Sequence, residues 1–171
     1  MIAHPSSGVN FCCENEEIMK NNLFAVDSGI IVHQVNRKKV AIGLAKRLQD
    51  QWPALQDRYL DQFHGGRRIN LGDVFSAKVT DSLFVVGIFG QNDYGPNQCH
   101  TSYAALVDGF RKIALKSSAE KIYIPHNLGC EDHEGGDWHV VRALIQQLLP
   151  KAIIMATEEP ILVASSKNRL S

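Results

Sequence analysis

The sequence predicts an α/β fold in which helices cover both faces of a largely parallel sheet. Short, mostly continuous apolar segments recur along the chain, as is typical of strands buried on both faces. Segments with apolar residues at helical spacing lie between them, and this alternation favours a mainly parallel sheet. The 171 residues are enough for one domain with a substantial core. We therefore expect a single domain spanning residues 1–171.

The predicted strands are the short apolar runs. The first lies at 11–13, with a continuation through 16–20 as the alternative. The others span residues 29–35, 82–90, 121–127 and 151–157. Residues 1–10 are expected to form a loose leader. Residues 158–171 are expected to form a tail whose apolar cluster either adds a strand or lies on the surface.

Three segments between the strands show helical spacing of apolar residues. Proline disrupts the interior of a helix, whereas Ser and Thr side chains cap helix N-termini. The expected helix boundaries are placed at residues of these types. The predicted helices are 41–60, divided at Pro53; 102–118, capped by Thr101 or Ser102; and 137–149, between Asp137 and Pro150.

Composition restricts the class of partner and the compartment. The formal net charge is zero, so no global field attracts nucleic acid or an acidic membrane, and we expect no sequence-specific nucleic-acid binding. No run approaches the ~20 apolar residues of a membrane span, and no secretion signal is recognisable. The four cysteines form no paired motif, which favours reduced thiols and a cytoplasmic protein.

Two loops, at residues 33–45 and 126–138, each connect a predicted strand to a predicted helix. Ligands of such folds bind beyond the carboxyl ends of the strands, where helix N-termini accept phosphate. His33 is a candidate general base, or a strand-end histidine satisfied by the backbone. Asn36 either contacts a ligand or stabilises the turn. Asp137 either only caps the third helix or orients a water molecule or a ribose hydroxyl.

The order and spacing of several motifs between residues 14 and 157 resemble the macro domain. These motifs are IIVHQVN, GLAKRLQDQWP, LGDVF, VVGIFGQNDYG, TSYAAL, and LGC followed by GGDW. The likeness is to short stand-alone members from phages and bacteria, similar to ADP-ribose-1''-phosphate phosphatases. It implies a three-layer α/β/α fold with a mixed, largely parallel sheet.

The resemblance also implies a function. The chain is expected to bind ADP-ribose or a related nucleotide and to hydrolyse ADP-ribose-1''-phosphate or an ADP-ribosyl linkage, without a cofactor or metal. One alternative is a non-catalytic module that reads ADP-ribosylated macromolecules or sequesters an ADP-ribose-derived signal. Another is a structural remnant that keeps the fold and has lost the site.

The site residues that the resemblance implies fall into two groups. Asn36 is expected to contact the distal ribose, and the loops around it to hold the diphosphate. The expected catalytic residues are His33 and Asp137. The expected ligand-binding residues are Asn22, Leu23, Asn36, Val40, Ala41, Gly43, Leu44, Gln91, Tyr94, Asn127, Gly129, Cys130, Gly135 and Gly136.

The chain departs from the family pattern at three places. The first loop reads KVAIGLA, where the family carries several glycines, so Ala41 and Ile42 would narrow the backbone's approach to phosphates. Asn22 stands where the family has an aspartate for the adenine amine. Residues 131–134 are EDHE, whose carboxylates would repel a diphosphate. A zinc site at Cys130 and His133 is a further alternative, although no second ligand pair completes it.

Overall fold

The computed structural model describes residues 19–95, 98–117, 120–130 and 135–157. The strand predicted at 11–13, the leader, the 131–134 loop and the tail at 158–171 lie outside these residues. The described strands are β1 (Met19–Asn22), β2 (Gly29–Asn36), β3 (Val74–Lys78), β4 (Leu83–Gln91), β5 (Ile122–Pro125) and β6 (Ile153–Ala156). The helices are α1 (Gly43–Gln51), α2 (Pro53–Asp61), α3 (Tyr103–Lys116) and α4 (Trp138–Leu148), with short 3-10 turns at Leu23–Ala25 and His64–Gly66.

The six strands form one mixed sheet in the order β1-β6-β5-β2-β4-β3. All neighbours pair in parallel except β3 and β4, which are antiparallel. The prediction of a largely parallel sheet is thus confirmed. Strand β3 was not predicted, because its sequence VFSAK alternates buried and exposed residues and lacks the continuous apolar run of the other strands.

Two hydrophobic cores flank the sheet and create three layers. One core packs α1 and α2 against the sheet, and the other packs α3 and α4 against the opposite face. The central strand β2 supplies both cores, with Ile31 and Val35 on the α1/α2 side and Ile30 and Val32 on the α3/α4 side. This explains its continuous apolar sequence, since successive side chains of a strand point to opposite faces.

The helix boundaries follow the predicted signals. Pro53 is the first residue of α2 and separates it from α1. Ser102, rather than Thr101, caps α3 by accepting a hydrogen bond from the backbone N–H of Ala105 at 3.2 Å. Asp137 caps α4 through the backbone N–H of His139 at 2.8 Å. No helix in the described part of the chain is long and apolar enough to cross a membrane.

Candidate functional site: a crevice at the carboxyl end of β2

A crevice of about 290 Å³ opens at the carboxyl ends of β2 and β4. This is where ligands of parallel α/β sheets bind. Its walls come from the start of α1, the loop after β4, and the loop between β5 and α4. It is lined by Gln34, Val35, Asn36, Ile42, Gly43, Leu44, Ala45, Gln91, Asp93, Tyr94, Gly95, His100, Leu128, Gly129 and Gly135.

The near wall is the turn between β2 and α1, and Asn36 organises it. The side-chain amide of Asn36 donates to the carbonyl of Val40 at 2.8 Å, and its Oδ1 accepts from the backbone N–H of Lys38 at 2.9 Å. The Tyr59 hydroxyl donates to the Asn36 carbonyl at 3.1 Å. Burial raises the pKa of Tyr59 to about 12, so its hydroxyl stays protonated and keeps donating. Asn36 therefore lines the crevice while its side chain stabilises the turn.

The start of α1 faces the crevice without a side-chain cap. Ile42 occupies the N-cap position, where its side chain cannot form a capping hydrogen bond, and the first turn contains no acidic residue. Gly43 has φ 54°, a left-handed value that favours glycine. The first N–H groups of a helix have no intrahelical partner and lie at the positive end of the helix dipole. Gly43 and Leu44 thus border a place suited to an anion.

The far wall is formed by two chain segments in very close contact. A Cβ atom on Gly135 would lie only 2.0 Å from the carbonyl oxygen of Gly129, so this position requires glycine. Beneath them, the Gln34 side-chain amide donates to the carbonyl of Leu128 at 2.7 Å and to the Thr101 hydroxyl at 3.2 Å. The Thr101 hydroxyl donates in turn to the carbonyl of Gly135. Buried side chains therefore fix this wall from below.

The third side of the crevice carries its ionisable groups. The backbone N–H of Tyr94 donates to Asp93 at 2.8 Å, and this bond, supported by Lys38 at 3.5 Å, lowers the pKa of the Asp93 carboxyl. Asp93 therefore carries its charge at neutral pH. The His100 Nε2 lies 3.0 Å from the carbonyl of Gly95. Tyr94 is 44% exposed at the rim, where its ring offers an apolar surface.

Half of the expected ligand-binding residues line the crevice. These are Asn36, Gly43, Leu44, Gln91, Tyr94, Gly129 and Gly135. The other half do not line it: Asn22, Leu23, Val40, Ala41, Asn127, Cys130 and Gly136. The lining residues absent from the expectation are Gln34, Val35, Ile42, Ala45, Asp93, Gly95, His100 and Leu128.

The residues outside the crevice have other contacts. Asn22 caps a 3-10 turn by accepting from the backbone N–H of Phe24 at 3.0 Å, and the Leu23 side chain is fully buried. The carbonyl of Val40 is bound by Asn36 within the turn. Burial raises the pKa of Cys130 to about 12, so its thiol is neutral and a poor nucleophile.

The structure does not place His33 in the crevice. Its side chain is 1% exposed, and neither ring nitrogen has a hydrogen-bond partner among the described residues. It lies between Ile31 and Val35, and strand alternation therefore turns it toward the α1/α2 core, away from Gln34. Burial lowers the pKa of His33 to about 4, so the ring is neutral near pH 7. The expected approach of His33 to a ligand is corrected accordingly.

The remaining expectations concern Asp137 and a metal. Asp137 does not line the crevice, and its carboxylate is engaged as the cap of α4. No group of three or more His, Cys, Asp or Glu side chains suited to a metal occurs among the described residues. His133, the proposed partner of Cys130, lies outside them.

Comparison with known proteins identifies the fold. No protein-family model and no curated protein matches the sequence. A protein of unknown function from Bacteroides thetaiotaomicron is 19% identical with a TM-score of 0.66, and the match covers 77% of this chain and 89% of that chain. A macrodomain protein from Streptomyces coelicolor is 19% identical with a TM-score of 0.62, covering 79% of this chain and 92% of that chain.

A third match is Thermosipho africanus DarTG, solved in complex with ADP-ribose. It is 20% identical with a TM-score of 0.60, and the match covers 79% of this chain and 38% of that chain. Likeness at such low identity establishes the fold: this chain has the macrodomain fold, as the motifs predicted.

Proposed function

We propose that the chain binds ADP-ribose or a related nucleotide diphosphate in the crevice at the carboxyl end of β2. The observation that carries this proposal is the uncapped start of α1, which borders the crevice at Gly43 and Leu44. Free N–H groups and the helix dipole together favour a phosphate there. The macrodomain fold adds support, since one structural neighbour was solved with ADP-ribose.

We further propose that binding, rather than catalysis, is the function. A general base must come within hydrogen-bond reach of the proton it removes. His33 is buried in the α1/α2 core, so its ring does not reach the crevice. The carboxylate of Asp137 accepts a hydrogen bond from the backbone N–H of His139. A binding module of this kind would read ADP-ribosylated macromolecules or sequester an ADP-ribose-derived nucleotide.

Hydrolysis at the distal ribose is the second candidate function. It is favoured by one observation, namely that Asp93 and His100 both line the crevice. A carboxylate and an imidazole in one crevice are the usual means of acid–base catalysis. Release of phosphate from ADP-ribose-1''-phosphate, abolished in both Asp93→Asn and His100→Gln, would replace the binding proposal with this one.

The binding proposal is tested by calorimetric titration of ADP-ribose into the wild-type chain and two variants. Ile42 occupies the N-cap position of α1 and is 47% exposed. In Ile42→Asp the new carboxylate caps the helix and repels the diphosphate, so we expect unchanged or higher stability with at least ~10-fold weaker binding. Val140→Asp is the matched control, because it adds the same charge at an exposed position of α4. Absence of wild-type binding, or equal weakening in both variants, would refute the proposal.

A further inference from the structure

The far wall of the crevice contains an unusual run of backbone. Asn127, Leu128 and Gly129 have φ values of 66°, 42° and 79°, so three successive residues are left-handed. This conformation is unfavourable for residues other than glycine, because the Cβ atom crowds the backbone. Such a conformation persists only where the surroundings determine it. The Leu128 side chain is fully buried, and the backbone N–H of Cys130 donates to the carbonyl of Asn127 at 2.7 Å.

Two buried side chains complete this support from beneath. Gln34 is 6% exposed and Thr101 is 8% exposed. Both N–H bonds of the Gln34 amide are used, toward the carbonyl of Leu128 and toward the Thr101 hydroxyl. The Thr101 hydroxyl donates a hydrogen bond to the carbonyl of Gly135. One chain of hydrogen bonds thus joins β2 to both segments of the far wall.

This chain of hydrogen bonds has an electrostatic consequence. Leu128 and Gly135 line the crevice, and the lone pairs of their carbonyl oxygens would repel an anion there. Gln34 donates a hydrogen bond to the carbonyl oxygen of Leu128, and Thr101 donates one to that of Gly135, so both oxygens are partly neutralised. The backbone N–H of Gly129 has no hydrogen-bond partner among the described residues, and it lies on the same wall. Among the described residues, this wall therefore combines hydrogen-bonded carbonyl acceptors with one N–H donor that has no partner.

We propose that Gln34 and Thr101 are positioning residues that make the far wall selective for an anionic ligand, by holding the carbonyls of Leu128 and Gly135 in hydrogen bonds. This inference rests on the proposed function. The crevice is lined by the negatively charged Asp93, and the hydrogen-bonded far wall explains how it can still accept a diphosphate. It adds that the phosphates contact the far wall as well as the start of α1.

The test uses a matched pair at one position in the full chain. Thr101→Val keeps the shape of the side chain and removes the hydroxyl, whereas Thr101→Ser keeps the hydroxyl. Dissociation constants are measured for ADP-ribose and for adenosine, which has no phosphate. We expect Thr101→Val to weaken ADP-ribose binding about 10-fold or more and to change adenosine binding less than about twofold, while Thr101→Ser stays near wild type. Equal weakening for both ligands, or equal damage by Ser and Val, would overturn the inference.

A second measurement separates this inference from the proposed function. Backbone amide and carbonyl chemical shifts are recorded without ligand for the wild type, both Thr101 variants and Gln34→Leu. We expect shifts at Leu128, Gly129 and Gly135 in Thr101→Val and Gln34→Leu, and near wild-type values in Thr101→Ser. Unchanged shifts would overturn the positioning role even if ADP-ribose binds. Shifted resonances in a protein that binds no ADP-ribose would instead reject the proposed function and leave the positioning role intact.

Discussion

Replacing His33 should reduce the loss of stability that this fold undergoes as the pH falls from 7 to 4.5. Burial lowers the pKa of His33 from 6.5 to about 4, so between these pH values the unfolded chain binds a proton that the folded chain does not. The free energy of unfolding therefore falls as the pH drops. One pKa unit corresponds to about 1.36 kcal/mol, and His33 alone should cost about 2.5 kcal/mol between pH 7 and pH 4.5.

The assay is urea unfolding of the wild type and His33→Leu at several pH values from 7 to 4.5, followed by circular dichroism. Carboxylates titrate in both proteins, so the informative quantity is the difference between their unfolding free energies at each pH. We expect this difference to shift by about 2.5 kcal/mol in favour of the variant as the pH falls. At pH 7 the variant should be equally or more stable, because leucine leaves no unpartnered ring nitrogen in the core.

Two controls decide how the result is interpreted. His139→Leu removes an exposed ring from α4 and is the matched control for the loss of a histidine that does not lie in the core. ADP-ribose affinity at pH 7 should be the same in His33→Leu and in the wild type. Parallel loss of stability in wild type and His33→Leu would refute the burial argument. A large loss of affinity or turnover in His33→Leu would show that His33 acts on the ligand after all.

Three further substitutions test the walls of the crevice. Tyr59→Phe removes the hydroxyl bound to the Asn36 carbonyl and should lower the free energy of unfolding by about 1 kcal/mol, measured by urea unfolding. Gly135→Ala forces a contact of 2.0 Å with the carbonyl of Gly129, so it should destabilise by more than about 2 kcal/mol and abolish ADP-ribose binding. In Gly43→Ala the new Cβ atom has no neighbour within 4 Å, so only the positive φ is unfavourable. We expect the free energy of unfolding to fall by about 1 kcal/mol. Equal losses in the two glycine variants, by thermal unfolding, would contradict the steric argument.

Much of the fold could be predicted from local sequence signals. The apolar runs predicted four of the strands. Pro53 marked a helix start through its ring, and Ser102 and Asp137 marked helix starts through side-chain oxygens that accept backbone hydrogen bonds. The antiparallel strand β3 could not be recognised in this way. Its polar residues Ser76 and Lys78 are exposed, and it forms a strand because β4 offers it a pairing edge, which is a long-range effect.

The site was less predictable, because its key contacts join residues far apart in sequence. Gln34 and Thr101 are 67 positions apart, and no local pattern links them. Thr101 was considered only as a helix cap, a role that Ser102 fills. One local signal was available: in a regular strand Gln34 and Asn36 would both face the side opposite His33. In the structure Gln34 does so, whereas the register shift after Val35 turns Asn36 toward Tyr59 and the α1 side. Applying that period to HQVN would have favoured the glutamine over the histidine.

The two walls of the crevice depend on neighbouring polar residues of one strand. Asn36 holds the near wall, and Gln34 holds the far wall. The register of β2 against β4 shifts between Val35 and Asn36, and an irregularity of this kind re-aims a side chain. Asn36 can then reach the turn before α1, while Gln34 keeps its place beneath Leu128. A first loop with few glycines can therefore still border a formed crevice, because the side chains of β2, rather than the flexibility of the loop, determine its shape.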